Sequence, residues 1–432
     1  MYKVLIPSAG LGTRLGDLGK NINKALVSVA HKPVISHVIE KFPKDVEIVV
    51  ALGHKADLLK DYLQIAHPER KITCVEIDHY YGSKSGLGYT ILQCERYLQC
   101  PFVFTPNDTL VLEDIPTPYE NWMAYADVEN TDQYRSIDID KQDMVCKVYE
   151  KDEGLDVLPY IGLAGIKDYK SFWNHMKAGV DKGSILIGES FAFREMIKLG
   201  SKVRSKKFTW YDTGNVKNLQ VARKVFEKKN SPNILEKPNE AIWFVNELVI
   251  KYHNDINFIT GRVERSKVLS GYVPDIVNHK DNMYSYKLIS GQPVAKITNE
   301  SVFNSLLEYL QTFWQPVELS DTEKEQFVSV CDQFYRTKTL ERVNLYFNKT
   351  GELDTTENIN GVDIPPLSEM LDKLPWERVV NGSPHRMHGD LHFENILMSQ
   401  TGEFCLLDWR QNFGGLKKYG DIYYDLAKLL HG

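Results

Sequence analysis

The sequence predicts an α/β domain followed by an α+β domain. Between Lys3 and Ile77, apolar runs typical of buried strands alternate with stretches of helical periodicity, such as residues 56–66. This alternation favours a mostly parallel mixed sheet with helices on both faces, in a Rossmann-like arrangement. From residue 241, a β-hairpin pattern and then a helical, aromatic-rich region at residues 301–350 replace it. A chain of 432 residues is long enough for each domain to bury its own core.

The domain boundary is predicted from local composition. Charged residues, a turn former and a proline come together at residues 228–233, as is typical of a linker. The chain ends at Gly432, a few residues into an apolar helical pattern, so we expect the second domain to be incomplete. The predicted parts are a first domain at 1–228, a linker at 229–236, and a second domain at 237–432 with lobes at about 237–292 and 293–432.

Composition excludes several classes of function. With 43% hydrophobic residues, 25% charged residues and a net charge of −6, the chain has no basic field for nucleic acid. Six cysteines without a C-x-x-C pair argue against a zinc site or a disulfide scaffold and fit a reducing compartment. The apolar run at the N-terminus is too short for a signal peptide, and no stretch approaches the roughly 18 apolar residues of a membrane span. We therefore expect a cytoplasmic protein that binds small-molecule substrates, not nucleic acid or membrane; homo-oligomers remain open.

A glycine-rich loop, residues 8–14 (SAGLGTR), follows the first predicted strand. Small residues let backbone N–H groups approach a phosphate, and Arg14 adds positive charge. The loop lacks the Gly-Lys-Ser/Thr of a Walker loop and the third glycine of a dinucleotide fingerprint. Residues 23–26 (NKAL) then supply Lys24, and residues 31–33 (HKP) open a helix. The set resembles the G-x-G-x-R, P-K-x-L and x-K-P signature of sugar-phosphate and phosphocholine nucleotidyltransferases, with asparagine at 23 in place of proline.

The resemblance implies a nucleotidyl transfer reaction in the first domain. In it, Arg14 and Lys24 are catalytic, because they stabilise the charge that develops at the α-phosphate. A second glycine segment at residues 85–90 (SGLGYT) opens a predicted helix at residues 90–97 and corresponds loosely to the part of that family that faces the nucleotide base. The residues implied in nucleotide binding are Ala9, Gly10, Leu11, Gly12, Thr13, Gly86 and Gly88.

Carboxylates for a metal ion and contacts for an acceptor are also implied. Asp108 follows a strand, and Asp212 lies in a W-x-D-x-G-like segment; together they are expected to hold Mg²⁺, although each alone suits a turn or a helix cap. Glu150 and Lys151 resemble the E-K-P segment that contacts the acceptor, and Gly162 lies in the strand that follows. The alternative for Glu150 and Lys151 is a solvated surface pair.

A second motif set begins at residues 388–395 (HGDLHFEN) and continues at 406–409 (LLDW). Phosphoryl transfer requires a carboxylate near the attacking hydroxyl, and oxygen ligands that hold Mg²⁺ against the nucleotide phosphates. Asp390 can supply the first, and Asn395 and Asp408 the second. The set resembles the catalytic core of the aminoglycoside phosphotransferase and choline kinase group, which implies a two-lobed, protein-kinase-like fold with Asp390 as base and Asn395 and Asp408 on the metal.

Other residues of the expected kinase site are inferred from their positions in predicted strands and helices. Lys251, inside the hairpin's second strand, is expected on the nucleotide phosphates. Glu264, in the 262–265 segment that we expect to open the next helix, is the predicted ion-pair partner of Lys251, with Glu247 and Asp255 as alternatives. The segment 420–427 (GDIYYDLA) carries two acids, of which we expect the first to hold the catalytic loop.

Both motif sets on one chain predict a bifunctional enzyme of surface polysaccharide (capsule or lipopolysaccharide) precursor synthesis. ATP would phosphorylate a small alcohol or sugar, and a second nucleoside triphosphate (CTP or UTP/dTTP) would then be joined to that phosphate, with Mg²⁺ at both sites and release of pyrophosphate. One alternative is choline kinase plus CTP:phosphocholine cytidylyltransferase, with an aromatic cage from Trp122, Tyr125, Tyr160 and Trp210. The other is an active transferase with an inactive kinase-like binding module.

Overall fold

The computed structural model describes residues 1–83, 85–128, 133–151, 158–227, 234 and 236–431. These residues form two compact units, Met1–Asn254 and Asp255–Gly432. The predicted linker at 229–236 lies almost wholly outside the described residues. The boundary between the two compact units, after Asn254, comes later in the chain than that linker.

The first unit is an α/β domain. Its strands are β1 (Lys3–Ser8), β2 (Ser28–Val29), β3 (Lys32–Pro33), β4 (Glu47–Leu52), β5 (Ile72–Glu76), β6 (Phe102–Phe104), β7 (Thr109–Val111), β8 (Trp122–Tyr125), β9 (Ser136–Ile139), β10 (Val145–Tyr149), β11 (Leu158–Ile166), β12 (Arg204–Lys207), β13 (Trp210–Asp212), β14 (Glu240–Val245) and β15 (Leu248–His253). Its helices are α1 (Val34–Glu40), α2 (Ala56–Ala66), α3 (Leu87–Gln93), α4 (Tyr169–Ala178), α5 (Ser184–Ile187), α6 (Glu189–Lys198) and α7 (Val216–Phe226).

The main sheet of this unit is mixed, which confirms the predicted fold class. Its strand order is β10-β9-β11-β6-β1-β4-β5, with β8 paired to β11 and β12. The strands β6, β1, β4 and β5 are parallel, whereas β11 runs antiparallel to β6. Because the ligands of such sheets bind beyond the carboxyl ends of the parallel strands, the segments that follow β1 and β6 are the expected binding region.

Helix bounds depend on long-range packing as well as on periodicity. Helix α2 occupies the predicted residues 56–66, since its apolar positions fall on one buried face. Helix α3, predicted at residues 90–97, begins at Leu87. Its first turn lies against α5: a Cβ at Gly88 would be 1.8 Å from the carbonyl oxygen of Ser184. Only glycine permits this approach, and the helix therefore starts earlier than its apolar pattern suggests.

The predicted hairpin is present as β14 and β15, joined by Asn246 and Glu247 with φ of 50° and 61°. Left-handed conformations at both turn residues match the right-handed twist of the strands. The hairpin packs within the first unit, because Trp243 lies edge-on to Tyr62 at 5.1 Å between ring centroids and donates a hydrogen bond to Ser28. These contacts explain why the boundary between the two units comes after the hairpin.

The second unit is α+β. Its strands are β16 (Ile276–Lys280), β17 (Met283–Lys287), β18 (Gln292–Pro293), β19 (Glu357–Ile359), β20 (Val362–Ile364), β21 (Pro384–His385), β22 (Ile396–Met398), β23 (Phe404–Leu406) and β24 (Gly420–Asp421). Its helices are α8 (Ile256–Val268), α9 (Val294–Ile297), α10 (Glu300–Phe313), α11 (Asp321–Asp332), α12 (Lys338–Thr350), α13 (Leu367–Asp372), α14 (Trp376–Val380) and α15 (Ile422–His431), with a π-helical turn at Gln333–Thr337.

Antiparallel pairs make up its sheets, and the predicted helical region at 301–350 is confirmed. The prediction that residues 262–265 open a helix is wrong. Helix α8 begins at Ile256, because the side chain of Asp255 caps it by accepting the N–H of Asn257 at 2.9 Å. Across the described ranges of both units, no helix has the length and apolar character needed to cross a membrane.

Candidate active sites

The two predicted metal carboxylates of the first unit lie side by side. Strand β7 pairs with β13 so that Thr109 is opposite Asp212, and the N–H of Thr213 donates to the carbonyl of Asp108 at 2.9 Å. A Cβ at Gly214 would be 3.0 Å from Asp212 Oδ1 and 3.1 Å from Asp108 Oδ2. Both carboxylates therefore surround one point, although they are more than a hundred residues apart in sequence.

The two predicted catalytic cations reach the same place. Arg14 Nη2 would be 3.2 Å from the same Gly214 Cβ, and Lys24 Nζ lies 3.1 Å from Asp108 Oδ2. Burial raises the pKa of Asp108, but Lys24 and Arg14 outweigh it and hold that pKa below its usual value. The carboxylate is thus kept ionised, as a metal ligand must be.

Asn23 explains why the loop tolerates a departure from the usual proline. Its buried amide donates to the carbonyls of Ser8 and His54, and its oxygen accepts the N–H of Ala25. These bonds tie the turn at Lys24–Leu26 to the end of β1. Lys24 is therefore positioned by side-chain hydrogen bonds in this chain.

Asp212 has two partners that the sequence did not suggest. Its Oδ2 accepts from Asn218 Nδ2 at 2.8 Å and from the Tyr134 hydroxyl at 3.2 Å, and its Oδ1 accepts the N–H of Gly214 at 2.7 Å. Asn218 lies in the first turn of α7, soon after the W-x-D-x-G-like segment, and a search for polar residues there would have found it. Tyr134 carries no local signal.

The glycine loop approaches Lys24 closely. Gly12 has a φ of 69°, and a Cβ there would be 2.9 Å from the Cβ of Lys24. Gly10 and Leu11 are exposed, and the carbonyl of Ala9 accepts the N–H of His54 at 2.9 Å. Nucleotide binding by residues 9–13, Gly86 and Gly88 stays a prediction; for Gly88 the structure also supplies a packing reason.

Hard oxygen donors make the Asp108 and Asp212 pair a fit for Mg²⁺, which takes its remaining ligands from water and substrate phosphates. A larger ligand set is not available from the chain itself: over the residues that the structure describes, no group of three or more His, Cys, Asp or Glu could hold a metal ion. Magnesium binding at this pair stays a prediction.

The predicted acceptor residues separate into two environments. Glu150 is held by Arg135 at 2.8 Å and by Arg194 at 3.2 Å, so it is part of a partly buried network and not of a Glu–Lys surface pair. Lys151 is exposed. Gly162 has a φ of 79°, and a Cβ there would be 2.7 Å from Pro106 Cγ, which explains the glycine structurally. Their contact with an acceptor stays a prediction.

The four aromatic residues proposed for a cage are not equivalent. Trp122 is fully buried, and its Nε1 would be 2.0 Å from a Cβ at Gly165, so its ring lies inside the core. Trp210 instead contacts Tyr134 edge-on at 5.0 Å. Trp122 therefore cannot line an open ammonium cage, and the predicted set of four is wrong.

In the second unit, the catalytic loop places Asp390 and Asn395 together. Asn395 Nδ2 donates to the Asp390 carbonyl at 2.8 Å and to Asp390 Oδ2 at 3.3 Å. The N–H of Leu407 donates to the Asn395 carbonyl at 2.7 Å, so Asn395 and Asp408 lie at the same end of the β22–β23 hairpin. The three predicted residues are thus brought to one locus; their roles stay predictions.

The acidic groups of this locus are paired with cations. Asp390 Oδ1 lies 3.1 Å from Lys428 Nζ and 3.1 Å from His392 Nε2. Burial raises the pKa of Asp390, but the Lys428 ammonium outweighs it and the pKa is lowered. Asp408 accepts from Arg262 at 2.9 Å. The sequence suggested neither Lys428 nor Arg262.

Helix α8 supports the loop through a buried arginine. Arg265 is 1% exposed and donates to the backbone carbonyls of Met387, His388, Arg410 and Lys417. Burial lowers its pKa to about 10. One guanidinium therefore joins the catalytic loop to the segment that follows Asp408.

Two predicted kinase residues stay untested. Glu264 forms an ion pair with Lys417, at half-exposed side chains. Lys251 is buried in β15 of the first unit, opposite Ile242 in the strand register. The predicted pairing of Glu264 with Lys251, and that of Lys251 with nucleotide phosphates, stay predictions.

The acid that holds the catalytic loop is Asp425, and the expectation that Asp421 does so is wrong. Asp425 is fully buried and accepts the N–H groups of His388 and Gly389, each at 2.6 Å. Asp421 instead accepts from the Ser383 N–H at 2.9 Å and the Tyr335 hydroxyl at 2.7 Å. Because α15 begins at Ile422, the later acid is the one carried inward by the helix.

Comparisons with known proteins relate different parts of the chain to different groups of proteins. The phosphotransferase enzyme family matches residues 331–432. The chain is 27% identical over 256 residues to the bifunctional protein GlmU of Methanocaldococcus jannaschii, covering 57% of this chain and 60% of that protein. It is 26% identical over 250 residues to the low-salt glycan biosynthesis nucleotidyltransferase Agl11 of Haloferax volcanii, covering 53% of this chain and 67% of that protein.

Among solved structures, the CTP:phosphocholine cytidylyltransferase LicC of Streptococcus pneumoniae aligns with a TM-score of 0.43 and 17% identity, covering 52% of this chain and 100% of that one. The chain spans 34% to 60% of the length of the first curated relatives it matches. The phosphotransferase family match and the similarity to the curated proteins confirm the two resemblances predicted from the sequence and agree with the predicted enzyme class, a transferase.

Proposed function

We propose that the chain is a bifunctional transferase that makes a nucleotide-activated precursor for a surface polysaccharide, such as a capsule or lipopolysaccharide. The second unit phosphorylates a small alcohol or sugar with ATP, and the first unit joins that phosphate to a second nucleoside triphosphate in the cytoplasm. The similarity to a nucleotidyltransferase named for glycan biosynthesis supports this direction.

The observation that carries the transferase half is the convergence of Asp108, Asp212, Arg14 and Lys24 around Gly214. In the proposed reaction, an oxygen of the acceptor phosphate attacks the α-phosphorus, and the bond to pyrophosphate breaks. Arg14 and Lys24 neutralise the charge on the phosphates; Asp108 and Asp212 would hold Mg²⁺, which would supply Lewis-acid polarisation of the phosphate oxygens.

The kinase half rests on Asp390, Asn395 and Asp408 at one end of a hairpin, with their loop anchored by Asp425. In the proposed step, the acceptor hydroxyl attacks the γ-phosphorus of ATP, the bond to ADP breaks, and the hydroxyl proton passes to Asp390. Asn395 and Asp408 would hold the Mg²⁺ that neutralises the phosphates.

Pyrophosphate release tests the transferase half. Purified protein with Mg²⁺ is assayed with each of CTP, UTP, dTTP and GTP against phosphocholine, sugar 1-phosphates and polyol phosphates. We expect release with one pairing, and its loss in Asp108→Ala but not in Asp57→Ala, an exposed acid on α2. If no pairing releases pyrophosphate, the transferase proposal fails; release with CTP and phosphocholine alone would favour the choline alternative.

ATP turnover tests the kinase half. We expect ADP release that depends on an added alcohol or sugar and is abolished by Asp390→Asn. If the wild type and Asp390→Asn release ADP at the same background rate with every acceptor, the second unit is an inactive binding module.

A further inference from the structure

Basic side chains cluster beside Asp390 in the kinase locus. Lys428 Nζ lies 3.1 Å from Asp390 Oδ1 and 3.3 Å from His392 Nε2, and the rings of His392 and His431 are 6.0 Å apart. Lys428 and His431 are both on α15, one turn apart. A lysine and two histidines thus gather beside the carboxylate that the proposed reaction places at the attacking hydroxyl.

The cluster is partly exposed. The side chain of Asp390 is 40% exposed, that of Lys428 is 26% exposed and that of His392 is 25% exposed. Lys428 is also held in place, because it follows Asp425 by one turn and Asp425 binds the catalytic loop through two backbone N–H groups. The partly buried ammonium of Lys428 is therefore held at a fixed distance from Asp390, where it meets any molecule that binds this carboxylate.

The contacts of Asp390 limit what an acceptor can be. Its Oδ2 already accepts from Asn395, and its Oδ1 is shared by Lys428 and His392. A hydroxyl that binds Oδ1 must displace one of these two side chains, and the Lys428 ammonium, when displaced, needs a new partner. A cationic acceptor would instead bring a like charge within a few ångströms of Lys428, which is unfavourable.

We propose that the acceptor of the kinase half is an anionic alcohol, with a carboxylate or phosphate near its reacting hydroxyl, and that Lys428 binds this anionic group. The inference rests on the proposed kinase activity and names the substrate class of that site. It makes Lys428 a specificity-determining residue, with the rings of His392 and His431 beside it.

Acceptors that differ only in charge provide the test. The full chain with Mg²⁺ and ATP is assayed for ADP release with gluconate against sorbitol, glycerate against glycerol, and choline as a cation. We expect kcat/KM to be about tenfold to a hundredfold higher for the anionic member of a pair, as a charged hydrogen bond implies. Lys428→Met should remove this preference mainly through KM, whereas Lys428→Arg should retain it.

Lys373→Met is the matched control, since Lys373 is exposed and paired with Glu369 on the surface; its preference should equal that of the wild type. Equal or better turnover of sorbitol, glycerol or choline overturns the inference and leaves the kinase proposal intact. The inference also fails, with the kinase proposal intact, if Lys428→Met keeps the preference for the anion. Absence of turnover with every acceptor overturns the kinase proposal, and the inference with it.

Discussion

Asp425→Asn is the substitution that most directly probes how the kinase loop is held. The Asp425 carboxylate accepts the N–H groups of His388 and Gly389 at 2.6 Å each, and the indole N–H of Trp314 at 3.2 Å. The amide that replaces it keeps one oxygen and turns an NH₂ group toward the other backbone N–H. Two N–H donors then face each other in a fully buried site, next to the loop residues His388 and Gly389 that directly precede Asp390.

The expected size of the effect follows from these bonds. A hydrogen bond to a charged group contributes about 1.5–3 kcal/mol, and an unsatisfied buried donor costs a similar amount. Losing one bond and weakening the second should misalign the loop. We expect this to cost about 3 kcal/mol of transition-state stabilisation, which is roughly a hundredfold in kcat/KM. Pyrophosphate release by the first unit should not change.

Asp421→Asn is the matched control. Asp421 is buried as well, but its partners are the Ser383 N–H and the Tyr335 hydroxyl, not the loop. Both variants should unfold at a lower temperature, and only Asp425→Asn should lose kinase activity, measured as acceptor-dependent ADP release. Normal activity in Asp425→Asn, or an equal loss in Asp421→Asn, would contradict the assignment of Asp425 as the anchor.

Two further predictions concern the first unit. Burial raises the pKa of Glu189 from 4.5 to about 7, so the unfolded chain releases this proton at lower pH than the folded chain, and stability is lost as pH rises from 4.5 toward 7. In the wild type, the free energy of unfolding should therefore fall by about 3 kcal/mol over this pH range, and Glu189→Gln should abolish this fall. The melting temperature of the variant should then decrease less than that of the wild type between pH 5 and pH 8; an equal decrease in both proteins would refute this. Gly214→Ala places a methyl group 3.0 Å from Asp212 and 3.1 Å from Asp108, so pyrophosphate release should drop while the melting temperature holds; full release would argue against their shared role.

Local patterns predicted elements well where one physical cue dominated. Helix α2 has a clear apolar face, and the β14–β15 hairpin has a two-residue turn between apolar strands. The start of α3 was missed because it depends on Ser184, almost a hundred residues away, approaching a glycine backbone. A pattern that is read along the chain cannot report such a contact.

The spacing of the motifs also predicted the acidic residues of both sites, but not all of their hydrogen-bond and ion-pair partners. Asp108 and Asp212 could be predicted jointly, because each follows a strand and each resembles part of one signature; the β7–β13 register then places them together. Asp421 and Asp425 could not be told apart, since both lie in one short motif and only the start of α15 decides which is buried against the loop. Lys428 reaches Asp390 from another element and was therefore missed.

In each unit, one of the carboxylates that we propose as metal ligands lies beside a cationic side chain. A carboxylate that binds a metal ion must stay ionised in a partly buried place, where burial alone favours the neutral form. In the first unit Lys24 lies 3.1 Å from Asp108, and in the second Arg262 lies 2.9 Å from Asp408. Because each cation is also a phosphate-binding group, a nucleotide phosphate bound beside the acid can attract it away. An acid paired with a phosphate-binding cation is therefore a better candidate for a phosphate-transfer site than an acid alone.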